Sequence, residues 1–177
     1  MRRALEQIAA STRAQHARAA FVTAMLVCNV ASATAVREIA LAQLAQRAEL
    51  IVEVDAGAAQ SFRVDGRIFT RTTMQVRAAW KGPQTRDVSI VTRGGIEGGV
   101  GQRVDGETVL PSGTHAVLFL VYDEHLEGYR TVALEQGAYV IADTRAEPPP
   151  PGMLATRARL QASDVASFAR QVKSYVR

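Results

Sequence analysis

The feature that most constrains the fold is a 14-residue alternation of side chains over residues 67–80. One side of this segment is mainly apolar or threonine and carries Ile68, Thr70, Thr72, Met74, Val76, Ala78 and Trp80. The other side is mainly polar and carries Phe69, Arg71, Thr73, Gln75, Arg77 and Ala79. A period of two is typical of a β-strand with one face in a core and one in water. Because the segment is long for a strand, we expect a bulge or strong bend, as barrels require.

Shorter apolar or β-branched segments predict the other strands. They are residues 50–54, 61–64, 87–92, 115–122, 129–134 and 138–142. Asp65-Gly66 tolerates positive φ and predicts a tight hairpin turn before the long strand. The almost continuously apolar run at 115–122 is the best candidate for a central strand.

Helices are expected only at the two ends of this region. Residues 36–49 carry a short apolar stripe at helical spacing. Residues 163–177 carry a longer stripe, made of Val165, Phe168, Ala169, Val172, Tyr175 and Val176. We expect this amphipathic helix to dock on the sheet. The alternative is a helix that binds a membrane surface or a partner, because the polyproline spacer at 148–151 would let it detach.

These elements predict a mainly β protein, built as a small antiparallel OB-like barrel of five to six strands with a short N-terminal helix and a C-terminal amphipathic helix. A β-sandwich of similar size is the alternative. The expected organisation is a signal peptide at 1–35, the barrel at 36–147, a Pro-rich linker at 148–162 and the C-terminal helix at 163–177.

The first 35 residues have the composition of an export signal. Four arginines precede an apolar run at 19–33, and Ala33-Thr34-Ala35 provides small residues for cleavage after Ala35. The run is shorter than a stable transmembrane helix needs. We therefore expect a periplasmic or secreted protein, and the alternative is an accessory domain tethered by an uncleaved 19–33 segment. The only cysteine, Cys28, lies in this signal, so the mature chain has neither a disulfide nor a cysteine nucleophile.

The basic character of the chain belongs mainly to the signal. Residues 1–35 hold four arginines and one glutamate, and their removal would lower the formal net charge from +4 to +1. No nucleic-acid partner is expected. A barrel that binds single strands uses a basic groove with stacking aromatics, whereas this chain without its signal would have a net charge of only +1.

No motif predicts catalysis, a metal site or a cofactor. The glycine-rich loop at 94–101 lacks the Gly-Lys-Ser/Thr ending of a phosphate loop. Ser112 lies close to His115 in sequence, but no G-x-S-x-G motif occurs. The charged segment at 123–127 lacks the alternation of a calcium loop, and we expect a solvated turn. An enzyme with an unrecognised site, such as a hydrolase, remains the alternative.

The order of short motifs from 49 to 140 resembles a group of uncharacterised secreted bacterial proteins whose barrel is similar to the OB-type netrin/TIMP inhibitor domain. The motifs are Glu49-Leu50-Ile51-Val52-Glu53-Val54, Ile68-Phe69-Thr70-Arg71, Trp80-Lys81-Gly82, Gly94-Gly95-Ile96-Glu97-Gly98, Leu118-Phe119-Leu120 and Gln136-Gly137-Ala138-Tyr139-Val140. The resemblance implies a binding or inhibitory module and no catalytic residue. Animal inhibitor domains insert an N-terminal cysteine into a protease, which this mature chain lacks.

The predicted function is that of an exported, non-enzymatic binding module for a protein or a cell-envelope component. Its expected contacts are the solvent face of the long strand and the loop from Gly94 to Arg103, namely Arg71, Thr73, Gln75, Arg77, Glu97, Gln102 and Arg103. The alternative interpretation of the strand arginines is a face that only keeps the protein soluble.

Overall fold

The computed structural model describes residues 38–142 and 158–176, which form a mainly β protein with two α-helices. The predicted signal peptide at 1–35 and the Pro148–Pro151 segment lie outside these residues. The helices are α1 (Leu41–Arg47) and α2 (Val165–Tyr175). The strands are β1 (Leu50–Val64), β2 (Arg67–Lys81), β3 (Asp87–Arg93), β4 (Gly95–Glu97), β5 (Val100–Gln102), β6 (His115–Asp123), β7 (Gly128–Thr131), β8 (Ala138–Ala142) and β9 (Ala158–Gln161).

The long alternating segment is strand β2, which pairs with β1 as an antiparallel hairpin. Asp65 and Gly66 form its turn with φ of 47° and 76°, the backbone that matches the twist of two paired strands. The register shifts by one residue at three places along the pair, at Ile51/Val52, Glu53/Val54 and Ala56/Ala59. These irregularities confirm the bulges expected from the length of the strand.

The main sheet has seven strands in the order β1-β2-β3-β7-β6-β8-β9, and β6 also pairs with β1. It is not a clean antiparallel barrel. The β3–β7 contact is parallel and has one registered pair, Ile90 with Tyr129, and β8–β9 is parallel as well. The predicted all-antiparallel arrangement is therefore wrong. Side-chain alternation reveals that a segment is a strand, but not the direction of the neighbour beside it.

Several element boundaries also differ from those predicted. Strand β1 runs without interruption through Asp55-Ala56-Gly57, where the sequence suggested an end. Strand β9 occupies the C-terminal part of the segment assigned to the Pro-rich linker. The strand expected at 129–134 ends at Thr131, because Ala133 and Leu134 take up positive φ and a 3-10 turn follows.

The core has two layers because successive residues of β6 point to opposite faces of the sheet. Ala116, Leu118 and Leu120 pack inside the curved sheet, whereas Val117 and Phe119 pack against the helices. All five side chains are fully buried, which explains the continuous apolar run. This confirms the prediction of a central strand at 115–122.

Helix α2 packs on the outer layer through Phe168 and Val172. The Phe168 ring lies 4.9 Å from that of Tyr139, 6.0 Å from that of Trp80 and 6.5 Å from that of Phe119, measured between centroids. Burial among these rings raises the pKa of Tyr139, and Glu38 adds to the shift. The amphipathic stripe is thus docked on the sheet.

Lys81, the last residue of β2, closes the C-terminal end of α1. Its Nζ donates to the carbonyl oxygens of Ala45 at 3.0 Å and Gln46 at 3.2 Å, and also to that of Ala48. The last carbonyls of a helix lack partners within the helix, and a cation beside them is favourable. This single lysine therefore ties the short helix to the sheet.

Replacing Lys81 with methionine is expected to lower the free energy of unfolding by about 2 kcal/mol, because two carbonyls of α1 and that of the following Ala48 lose a charged donor. Urea denaturation measures the loss. Lys173→Met is the matched control, since Lys173 is exposed and is the only other lysine in the sequence. Equal midpoints for the two variants would show that the Lys81 bonds do not stabilise the fold.

Candidate functional site

A cavity of about 290 Å³ opens beside β2 and β3, beneath the segment that joins β5 to β6. Its walls carry four threonines, Thr70, Thr72, Thr92 and Thr108. Thr70 and Thr72 follow the apolar side of β2, next to Met74 of the inner core. The inner face of the sheet thus changes from aliphatic to hydroxyl-bearing side chains at this end.

A buried carboxylate forms the wall opposite these strands. The side chain of Glu107 is only 3% exposed, and its Oε1 lies 2.6 Å from Nε of Arg93 and 3.7 Å from Nη2 of Arg130. Nη1 of Arg130 also lies 3.4 Å from Oδ2 of Asp123. Burying a charged carboxylate away from water is unfavourable unless cations or hydrogen-bond donors contact it, as these two guanidinium groups contact Glu107. The network ties the β5–β6 segment to β3 and β7.

Most threonine hydroxyls at the cavity are already hydrogen-bonded. Thr70 Oγ1 donates to the carbonyl oxygen of Gly94 at 2.8 Å, and the hydroxyls of Thr108 and Thr131 lie 3.0 Å apart. Thr72 differs, because its side chain makes no hydrogen bond to any residue in the described ranges although it is only 7% exposed. Its hydroxyl is open to the cavity and has no protein partner in these ranges.

The glycine-rich segment is a hairpin of β4 and β5, which form a separate two-stranded sheet. Gly98 and Gly99 make its turn with φ of 57° and 77°. Gly95 has φ of 130°, and a Cβ at this position would lie 2.3 Å from Thr70 Oγ1 and 2.4 Å from Ser61 Oγ. A glycine is required here because the hairpin base packs directly on β1 and β2.

The hairpin and the cavity rim carry most of the exposed aliphatic surface. Ile96 is 74% exposed, Val100 54% and Val109 64%, and in the part of the chain that the structure describes only Tyr122 joins them as a large exposed apolar side chain. Ile96 pairs with Gly101 and Val100 with Glu97, so Ile96 and Val100 point to opposite faces of the hairpin. Val109 lines the cavity together with the hairpin-base residues Gly95 and Gln102.

The structure separates the seven predicted contact residues into two groups. Arg71, Thr73, Gln75 and Arg77 are exposed on the face of β2 opposite to Thr70 and Thr72. Arg71 Nη2 donates to the carbonyl oxygen of Leu126 at 2.8 Å, and its guanidinium lies over the Phe62 ring. Arg77 Nε donates to Asp55 Oδ2 at 2.6 Å, which raises the pKa of Arg77. Both arginines therefore have structural partners.

The other three predicted residues lie at the hairpin. Gln102 Oε1 accepts a hydrogen bond from the amide of Ile68 at 2.9 Å and so anchors β5 to β2. Arg103 is exposed, with Nε 3.7 Å from Asp105 Oδ1, and Glu97 is half-buried on β4. Gln102 and Arg103 line the cavity. Sequence reasoning missed Arg93, Glu107 and Arg130, because Glu107 lies in an irregular segment without periodicity.

The candidate catalytic and metal residues have other contacts. His115 Nε2 lies 2.8 Å from Glu53 Oε1, and the exposed Ser112 makes no hydrogen bond to it. His125 Nε2 lies 3.6 Å from Asp65 Oδ2. Within residues 38–142 and 158–176, no three histidine, cysteine, aspartate or glutamate side chains are grouped as a metal site requires. No helix in these ranges has the length and hydropathy to span a bilayer.

No protein-family model matches this sequence, and a comparison with curated proteins gives no match.

Proposed function

We propose that the protein is an exported, non-enzymatic binding module that holds a partner protein against the β4–β5 hairpin. The observation that carries this proposal is the concentration of Ile96, Val100 and Val109 on one hairpin and the rim beside it. Single exposed apolar residues are ordinary on protein surfaces. A hairpin with an exposed aliphatic side chain on each face is better suited to contact with a partner.

The backbone of the hairpin favours a partner segment in extended conformation. Strand β5 pairs only with β4 among the described strands, so its outer edge can receive a further strand. The edge of β4 is engaged by β1, since the amide of Ile96 donates to Ser61 Oγ at 3.1 Å. A partner strand would therefore add beside β5, with Val100 in contact with its side chains.

The scaffold that we propose beneath the hairpin is an OB-like barrel. The pairings β1-β2-β3-β7-β6 return to β1, which supports a ring of five strands and agrees with the resemblance to secreted OB-type domains. The hairpin lies in the connection from β3 to β6. Connections of a rigid barrel are where binding residues concentrate. Export to the periplasm or the medium rests on the sequence of residues 1–35.

A pull-down with tagged residues 36–177 from envelope and culture-supernatant fractions tests this proposal. We expect one enriched protein, and at least a tenfold loss of enrichment for Ile96→Ser combined with Val100→Ser. Both side chains are exposed, so the variant should unfold at the wild-type midpoint within about 0.5 kcal/mol. Tyr122→Ser is the control for loss of an exposed apolar side chain elsewhere. Equal enrichment by all three baits would refute the hairpin as the contact.

A further inference from the structure

We infer that the threonine-lined cavity binds a small aliphatic carboxylate. This site uses interior side chains of β2, β3 and the β5–β6 segment, and it goes beyond the partner surface proposed for the hairpin. The inference depends on three properties of the cavity: an unpartnered hydroxyl, a guanidinium with free donors and a small, partly apolar volume.

The unpartnered hydroxyl belongs to Thr72. Its side chain lines the cavity, is 7% exposed and makes no hydrogen bond to a residue of the described ranges. No buried side-chain nitrogen or oxygen in the described ranges lacks a hydrogen-bond partner, so the Thr72 hydroxyl is open to the cavity. A hydroxyl that faces a cavity and has no protein partner can donate a hydrogen bond to an oxygen of a bound molecule.

The free donors belong to Arg93. Only its Nε is engaged, by Glu107, and its two terminal nitrogens make no hydrogen bond to the residues that the structure describes. The side chain is 40% exposed and lines the cavity. The terminal nitrogens of a guanidinium form a fork that matches the two oxygens of a carboxylate.

The charge around the cavity favours an anion. Arg93 and Arg103 are the cations of the lining, and Glu107 is its one carboxylate. Glu107 is paired with Arg93, and Arg130, which also approaches Glu107, is paired with Asp123. The free terminal nitrogens of Arg93 and the exposed Arg103, whose contact with Asp105 is 3.7 Å long, would favour a carboxylate over an amine.

The size and the apolar lining of the cavity limit the ligand to a small molecule with an apolar part. A volume of about 290 Å³ lies at the lower limit of small-molecule pockets, which run from roughly 300 to 1,000 Å³. Ala59, Leu110 and the threonine methyl groups provide apolar contacts. A short aliphatic chain that ends in a carboxylate would place its anionic end at Arg93 and its chain among these groups.

The test is an NMR titration of the ¹⁵N-labelled protein with butyrate and hexanoate, and with the corresponding neutral amides. We expect saturable shifts of the Thr72, Thr92 and Arg93 amides with the acids, and at least tenfold weaker binding of the amides. Absence of saturable shifts at these residues with either acid, or equal binding of the amides, would overturn the inference.

Two variants separate ligand contact from folding. Thr72→Val removes the hydroxyl at nearly constant volume and should weaken hexanoate binding at least fivefold, whereas its neighbour Thr73→Val, on the opposite face of β2, should leave binding unchanged. Arg103→Gln, at an exposed side chain, should weaken binding severalfold without loss of fold. Wild-type affinity in both Thr72→Val and Arg103→Gln would contradict the assigned site. Carboxylate binding at the cavity and partner capture by the hairpin are measured separately, so either proposal can fail while the other holds.

Discussion

Replacing Phe168 with alanine is expected to lower the free energy of unfolding by about 4 kcal/mol. The ring is buried among Trp80, Phe119 and Tyr139, and it is the larger of the two buried side chains of α2, the other being Val172. Its removal leaves a cavity at the centre of the helix contact. The loss of aromatic packing adds to the loss of buried apolar area.

Chemical denaturation followed by tryptophan fluorescence measures this effect, because Trp80 is the only tryptophan and lies against Phe168. Arg170→Ala on the exposed side of α2 is the control and should change stability by less than about 0.5 kcal/mol. If the two variants unfolded at the same denaturant concentration, α2 would not be an integral part of the core.

Replacing Arg93 with methionine is expected to cost about 3 kcal/mol, because it leaves the buried Glu107 carboxylate with only the longer contact to Arg130. Combining Arg93→Met with Glu107→Leu should recover much of the stability, since the double variant buries no uncompensated charge.

Arg103→Met is the matched control for this pair. Arg103 also lines the cavity, but its contact with Asp105 is 3.7 Å long and exposed, and such pairs contribute little. Urea unfolding of the wild type, of the single variants Arg93→Met and Glu107→Leu and of the double variant gives the coupling energy. Additive losses in the double variant would show that Arg93 and Glu107 do not stabilise the fold as a pair.

Much of the sheet follows from local sequence patterns. The β1–β2 hairpin was predictable because Asp65-Gly66 forms the turn and side chains of β2 alternate between two faces from Thr70 to Arg77. The predicted faces are wrong at the end of β2, where Ala79 packs with the inner core and Ala78 and Trp80 pack with the outer core, because the register of the pair shifts there. The central position of β6 was predictable because both of its faces are apolar. The directions of β7 and β9 were not, since they depend on contacts between segments far apart in the chain.

The candidate site was predictable only in part. The glycine-rich segment and Arg103 were identified from composition, and Arg103 does line the cavity. The solvent face of β2 was identified from the alternation of its side chains. Alternation predicts which side chains are exposed but not which residues they contact, and Arg71 and Arg77 each form a hydrogen bond within the protein. Glu107 and Thr72 gave no sequence signal, because their roles arise from a buried ion pair and an unpaired hydroxyl.

Site-specific photo-crosslinking at the hairpin tests the central claim most directly. A photoreactive aromatic residue would replace Ile96 in cells that produce the full-length chain, and a second version would carry it at Tyr122. We predict a discrete cross-linked protein from position 96 and none from position 122. Cross-links of the same pattern from both positions, or none from position 96, would contradict the assignment of the β4–β5 hairpin as the partner-binding surface.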